Sequence, residues 1–230
     1  MIDLFNNSNY WGILLTIVAY QIGLLAKKKF KLAIFNPMIV SIILIIPILK
    51  LFNISYDTYY DSNTVMNYLL TPATICLAVP LYEKISILKD NIVAIIVGIL
   101  SGVLTAMVSI FLICNLFSLD KEIFVTFLPK SLTTAIGMAI SSELGGIVAI
   151  TVAVIMITGI TGSVISDIIF KVFKIDEPIS KGLALGTASH VIGTVKANEY
   201  STVSGAVSSL SIATTGLFTV IIAPIFANIY

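Results

Sequence analysis

With 230 residues, 58% of them hydrophobic and 11% charged, and a mean hydropathy of +1.07, the chain lies far from the roughly 25% charged content of an average soluble domain. This composition marks an all-α integral membrane protein with a single membrane domain over residues 1–230, since about 20 residues per membrane helix leaves room for six to eight helical elements. The net charge of +1 points to no charged partner, and the lack of a basic cluster interleaved with aromatics excludes nucleic acid.

The first ten residues carry Asp3 and neither Lys nor Arg, so the first apolar run reads as a retained span rather than a cleaved leader. That run, 11–25, ends at Lys27, Lys28, Lys29 and Lys31, the densest basic cluster in the chain. Short basic loops stay cytoplasmic, which puts the N-terminus outside. A second span is expected over 32–52, with Asn36-Pro37 near its start and Pro47 near its end, then a loop with Asp57 and Asp61. The run 65–82 holds Thr71-Pro72 and Val79-Pro80 and should be kinked, because proline frees a helix carbonyl.

A mixed-charge loop with Glu83, Lys84, Lys89 and Asp90 leads to a long unbroken span, 91–117. Gly98 and Gly102 within it have the spacing that lets a neighbouring helix approach closely, serving either internal packing or a homo-oligomer contact. Residues 123–140 are apolar but broken at Pro129-Lys130, 145–170 is a clean span, 179–197 is interrupted again, and 203–229 is a last span with Pro224 near its end. Cys76 and Cys114 both sit in apolar runs and read as packing residues, so neither a disulfide nor a metal or other cofactor is expected.

The two interrupted elements resemble each other: Ile136-Gly137 and Ile192-Gly193 are each followed, after five residues, by Glu143 and Glu199, and each stands behind a run of Ser and Thr. If every element crossed the bilayer, Lys171, Lys174 and Lys181 would fall outside, against the positive-inside rule. If 122–143 instead enters and returns as a hairpin, that loop lies inside and 180–199 enters from the opposite face. Legs of about ten residues reach roughly 15 Å, half of a hydrocarbon core of about 30 Å, so the tips of opposed hairpins would meet at the midplane. The alternative is eight spanning elements with two broken helices; both arrangements place unwound backbone at mid-depth.

Such backbone is tolerated only against protein or a water-filled cavity. Free helix N-termini there suit an anion. The expected anion ligands are Lys130, Ser131, Thr133, Thr134, Thr187, Ser189 and Thr194, with His190, the only histidine, a candidate for proton coupling. Glu83, Glu143, Lys196 and Glu199 are gate or ion-pair candidates, and Lys196 and Glu199 are i,i+3 neighbours that can pair. Enzyme chemistry finds no support: the chain has no Gly-x-Ser-x-Gly elbow and no metal-ligand spacing.

The segments NPMIVSIILIIP (36–47), ISYDTYY (54–60), LLTPATICLAVPLYE (69–83), LPKSLTTAIGMAISSELGGI (128–147) and LGTASHVIGTVKANE (185–199) resemble the LrgB/CidB/YohK family in order and spacing. The resemblance implies a multi-pass protein of the bacterial inner membrane that works with a holin-like partner of the LrgA/CidA type. Two functions are attached to that family: transport of small carboxylates such as pyruvate, glycolate or lactate, and antiholin-like regulation of murein hydrolases and cell lysis. An anion site between broken elements favours alternating-access transport of a small monocarboxylate, with the antiholin-like role as the alternative.

Overall fold

The computed structural model describes residues 10–30, 35, 37–66, 68, 69, 72, 82, 83 and 85–230. The kinked span expected over 65–82 lies largely outside these residues, as do Asp3, Lys31, Asn36, Cys76 and Lys84. Among the described residues there are ten helices and no strand, as a chain that must satisfy its backbone in lipid requires. Residues 1–76 and 77–230 form two compact units.

In the first unit, α1 (Trp11–Phe30) packs along α2 (Pro37–Leu51). Helix α1 ends in Lys27, Lys28 and Lys29, cations placed at the negative end of the helix dipole. Helix α2 begins at Pro37, where a missing N–H costs nothing. The stretch expected as an acidic loop carries a short helix instead, α3 (Tyr56–Asp61), because Ser55 accepts the Thr58 N–H as an N-cap. Thr16 of α1 ties to this helix through the Tyr59 hydroxyl at 2.7 Å.

The second unit contains α4 (Ile85–Asp90), α5 (Ile92–Leu116), α6 (Lys121–Phe127), α7 (Thr134–Glu143), α8 (Val148–Val172), α9 (Pro178–Tyr200) and α10 (Thr202–Ile229). Part of the expected mixed-charge loop is therefore helical. Helices α5, α8 and α10 have 25, 25 and 28 residues and are long and apolar enough to cross a membrane. Helix α5 buries Ile95, Ile99, Val103, Met107, Ile110 and Cys114, a stripe at helical spacing that forms much of the core.

The remaining elements double back. A straight helix of 23 residues would measure about 33 Å, yet the start of α9 touches the first turn of the helix that follows its end: the Ser204 hydroxyl donates to the Pro178 carbonyl at 2.9 Å. The reversal falls on His190, the one residue of α9 outside helical geometry, with φ 44° and ψ −134°. Residues 178–189 and 191–200 are thus two legs of a hairpin. Segment 121–147 does the same. Thr126 lies five residues, roughly 8 Å of helix, from Lys121, and its hydroxyl accepts the N–H of Ile147 at 2.8 Å, so the segment ends near the level at which it began. Its legs are α6 and α7, and its reversal is the stretch 128–133.

The hairpins approach from opposite ends of the same three helices. On α5, Gly98 and Gly102 lie under Leu183 and Thr187 of the second hairpin, whereas Phe111 packs edge-on to Phe124 of the first at 6.1 Å. On α8, Thr151 bonds Ser141 of the first hairpin at 2.7 Å, and Asp167 meets Lys196 of the second at 3.0 Å. On α10, Ser208 meets Thr194 at 2.7 Å and Tyr230 stacks on Phe124 at 4.2 Å. All three orders agree, so the tips face each other. Gly98 and Gly102 serve internal packing: a Cβ on Gly102 would stand 2.6 Å from the Thr187 methyl.

Candidate functional site

A cavity of about 520 Å³ lies where the two hairpins meet α5. Its α5 wall carries Gly98, Ser101, Gly102, Thr105 and Ser109, residues small enough to leave room and polar enough to hold water. The tip of the first hairpin contributes Lys130 and Ser131, and the first leg of the second contributes Ser180, Thr187 and Ala188. From Gly98 to Ser109 the wall extends about 16 Å.

Lys130 is the cation that lines this cavity. It follows Pro129 in the reversal 128–133, which brings it to the tip of the hairpin. Its ammonium donates to the buried Ser131 hydroxyl at 3.1 Å. Among the described residues no carboxylate lies within ion-pairing distance of it. A half-buried ammonium satisfied by a single neutral hydroxyl retains donors for an anionic guest. Thr187, from the facing hairpin, is 7% exposed, and its hydroxyl finds no hydrogen-bond partner among the described residues. Other helical Thr and Ser hydroxyls, Thr126, Ser209 and Ser211 among them, return to a carbonyl one turn back, while that of Thr215 in α10 is unpartnered among the described residues like that of Thr187. An unpaired buried hydroxyl costs about 1–3 kcal/mol.

The other expected anion ligands do not line the cavity. Thr133 is the N-cap residue of α7 without a side-chain capping bond, and Thr134 opens that helix; both are half-buried. Ser189 is buried against Gly162 of α8. Thr194 is occupied structurally, its hydroxyl bound to the His190 carbonyl at 3.1 Å and to Ser208. Glu83 and Glu143 are exposed, with Glu143 closing α7.

His190 is 4% exposed, and its Nε2 lies 3.0 Å from the carbonyl oxygen of Ile155 in α8. A carbonyl only accepts, so Nε2 carries the proton. The backbone of His190 occupies a region that side chains with a Cβ rarely adopt, at a cost of about 1–3 kcal/mol. Gly193 seats the second leg against the first: a Cβ there would stand 2.3 Å from the Leu185 carbonyl oxygen. Gly137, its counterpart in the first hairpin, packs instead under the Ile155 side chain.

At the base of the second hairpin, Lys196 pairs with Glu199 at 3.1 Å, as the spacing allows, and also with Asp167 at 3.0 Å. The Tyr200 hydroxyl donates to Asp167, and Lys181 lies over the Tyr200 ring at 5.3 Å. Sequence reasoning missed Asp167, although it is the only acidic residue in the run 145–170. It missed Ser101, Thr105 and Ser109 too, whose spacing of four puts them on one helix face.

The LrgB-like family model matches residues 16–229. A holin-like protein CidB of Staphylococcus aureus is 35% identical over 218 residues, which cover 95% of each chain. A CidB of Staphylococcus epidermidis is 34% identical over 95% of each chain. An antiholin-like protein LrgB of Bacillus cereus is 34% identical over 94% of this chain and 95% of its own. No solved structure gives a significant match.

Proposed function

The chain belongs to the LrgB-like family, and from that premise we propose that it is a multi-pass protein of the bacterial inner membrane that carries a small monocarboxylate through the cavity at the hairpin tips. The observation that carries this reading is Lys130, a cation without a carboxylate partner among the described residues, lining a cavity of about 520 Å³ between opposed helix breaks. Both hairpins re-enter the bilayer, one from each face. The carboxylate takes the Lys130 ammonium and the Ser131 hydroxyl, and the start of α7 next to them adds the partial positive charge of a helix N-terminus. Thr187 faces them from the second hairpin. Rocking of one hairpin with its attached helix against the other opens the cavity to alternate sides.

The names of the relatives, holin-like and antiholin-like, favour a second reading over the first. In that reading the chain regulates murein hydrolase activity and lysis by assembling with a small holin-like membrane protein. The two are compatible if carboxylate flux through the assembly alters the energised state of the membrane.

Uptake of labelled pyruvate and glycolate into proteoliposomes, with and without a holin-like partner of the LrgA/CidA type, separates them. Carriage is expected in the native protein and is lost in Lys130→Ala. Absence of uptake from folded protein in both preparations refutes the carrier and leaves the lysis regulator.

A further inference from the structure

The histidine that sequence analysis marks for proton coupling sits where a different task is visible. It is the point at which α9 reverses, and it adopts that reversal with a positive φ although Gly193, three residues on, would take it at no steric cost. The imidazole accounts for the choice. It reaches α8 at Ile155, two turns in from the start of that helix, and fits there because residue 159 is glycine: a Cβ on Gly159 would stand 2.6 Å from both Nε2 and Cε1 of the ring. Ile155 also carries the first hairpin, since its Cδ1 would lie 2.3 Å from a Cβ on Gly137. One residue of α8 therefore meets both hairpins, the tip of the second by its carbonyl and a leg of the first by its side chain.

We infer that His190 is a positioning residue: its Nε2–H bolts the tip of the second hairpin to Ile155, and so sets the distance between Thr187 on that hairpin and Lys130 on the first. The inference rests on the carrier reading for its effect on transport, but its structural content stands apart from it. The ring is committed as a donor to the Ile155 carbonyl, and Gly159 of the same helix lies against it, so the contacts that hold it on α8 come from residues that do not titrate. Proton exchange is not what this contact provides. A glutamine at 190 offers an amide N–H at about the reach of Nε2 and cannot be protonated near neutrality, so it separates a bolt from a proton carrier.

The experiment compares native protein with His190→Gln, His190→Ala and His190→Gly in two measurements. The first is hydrogen–deuterium exchange over residues 185–194 in reconstituted protein. One neutral buried hydrogen bond corresponds to roughly two- to tenfold in local opening. His190→Ala is therefore expected to exchange about that much faster at the tip, His190→Gln to stay near native, and His190→Gly to fall between, because it loses the bolt and also the backbone strain. The second is pyruvate uptake with and without an imposed proton gradient. His190→Gln is expected to keep both its uptake and its response to the gradient, and His190→Ala to raise the half-saturating pyruvate concentration. Gradient-driven uptake lost in His190→Gln would overturn the inference and restore proton coupling. Equal exchange in His190→Ala and native protein would overturn it as well. If the native chain carries no pyruvate the carrier reading fails, and the exchange measurement still decides whether His190 is a bolt.

Discussion

The two hairpins reverse by different means. The first spreads its turn over six residues, 128–133, with Pro129 ending the ascending leg and Lys130 and Ser131 left at the tip facing the cavity. The second turns at the single residue His190, buries it, and holds it by a bond to a neighbouring helix. A spread turn can present side chains to a guest because its backbone is not committed to a neighbour. A one-residue turn cannot, since its side chain is used to keep the turn in place. The internal repeat visible as Ile-Gly-x₅-Glu thus gives similar legs and unlike tips, and in the proposed carrier the work of binding would fall on the first tip and that of alignment on the second.

The largest expected effect breaks this division at the binding tip. Lys130→Ala removes the charge-assisted bond to the anion and is expected to lower pyruvate uptake by roughly 10- to 100-fold, the equivalent of about 1.5–3 kcal/mol, with the melting temperature in detergent close to native. A Lys130→Ala protein that transports normally would remove the first tip from the site.

Next come the repeat glycines. A Cβ on Gly193 meets a backbone oxygen, which does not yield, whereas a Cβ on Gly137 meets the far end of the Ile155 side chain, which can turn aside. Gly193→Ala is expected to destabilise by about 1–3 kcal/mol and Gly137→Ala by distinctly less, read as shifts in thermal unfolding. Equal shifts would mean that the legs are seated alike. A smaller effect is expected from Thr151→Val, which removes the buried hydroxyl bound to Ser141 and to the Thr126 carbonyl; about 1 kcal/mol should loosen exchange in the first hairpin alone.

The smallest is Lys196→Met at the base of the second hairpin. Its carboxylate partners Asp167 and Glu199 are about half exposed, so the loss should stay below about 1 kcal/mol and shrink further in high salt.

The all-helical membrane fold was legible in composition, and the two interrupted elements in the polar residues set within apolar runs. Whether the interrupted elements double back or run through stood open in the sequence, because Lys171, Lys174 and Lys181 argue by charge and charge does not specify a path. Which hydroxyls face the cavity was not legible. Thr187, Ser189 and Thr194 look equivalent along the chain, but the reversal at His190 sends Ser189 to α8, Thr194 to α10 and Thr187 to α5. A histidine with positive φ leaves no mark in composition or period. The basis for expecting Lys196 to pair with Glu199 was their spacing of three, which is local; Asp167 joins them from another helix, and no spacing encodes that.

Ser201 ends α9 and caps the start of α10 with no loop between them, in extended backbone at φ −168° and ψ 161°. Helix α10 then runs about 40 Å to Tyr230, which stacks on Phe124 and donates its hydroxyl to the Leu119 carbonyl. In mechanical terms this is a rod coupled without slack at one end and seated on the opposite hairpin at the other. Rotation imposed at Ser201 is transmitted along the whole rod, so a single inserted residue there would turn α10 by about 100° and throw its far end out of register with the hairpin it supports.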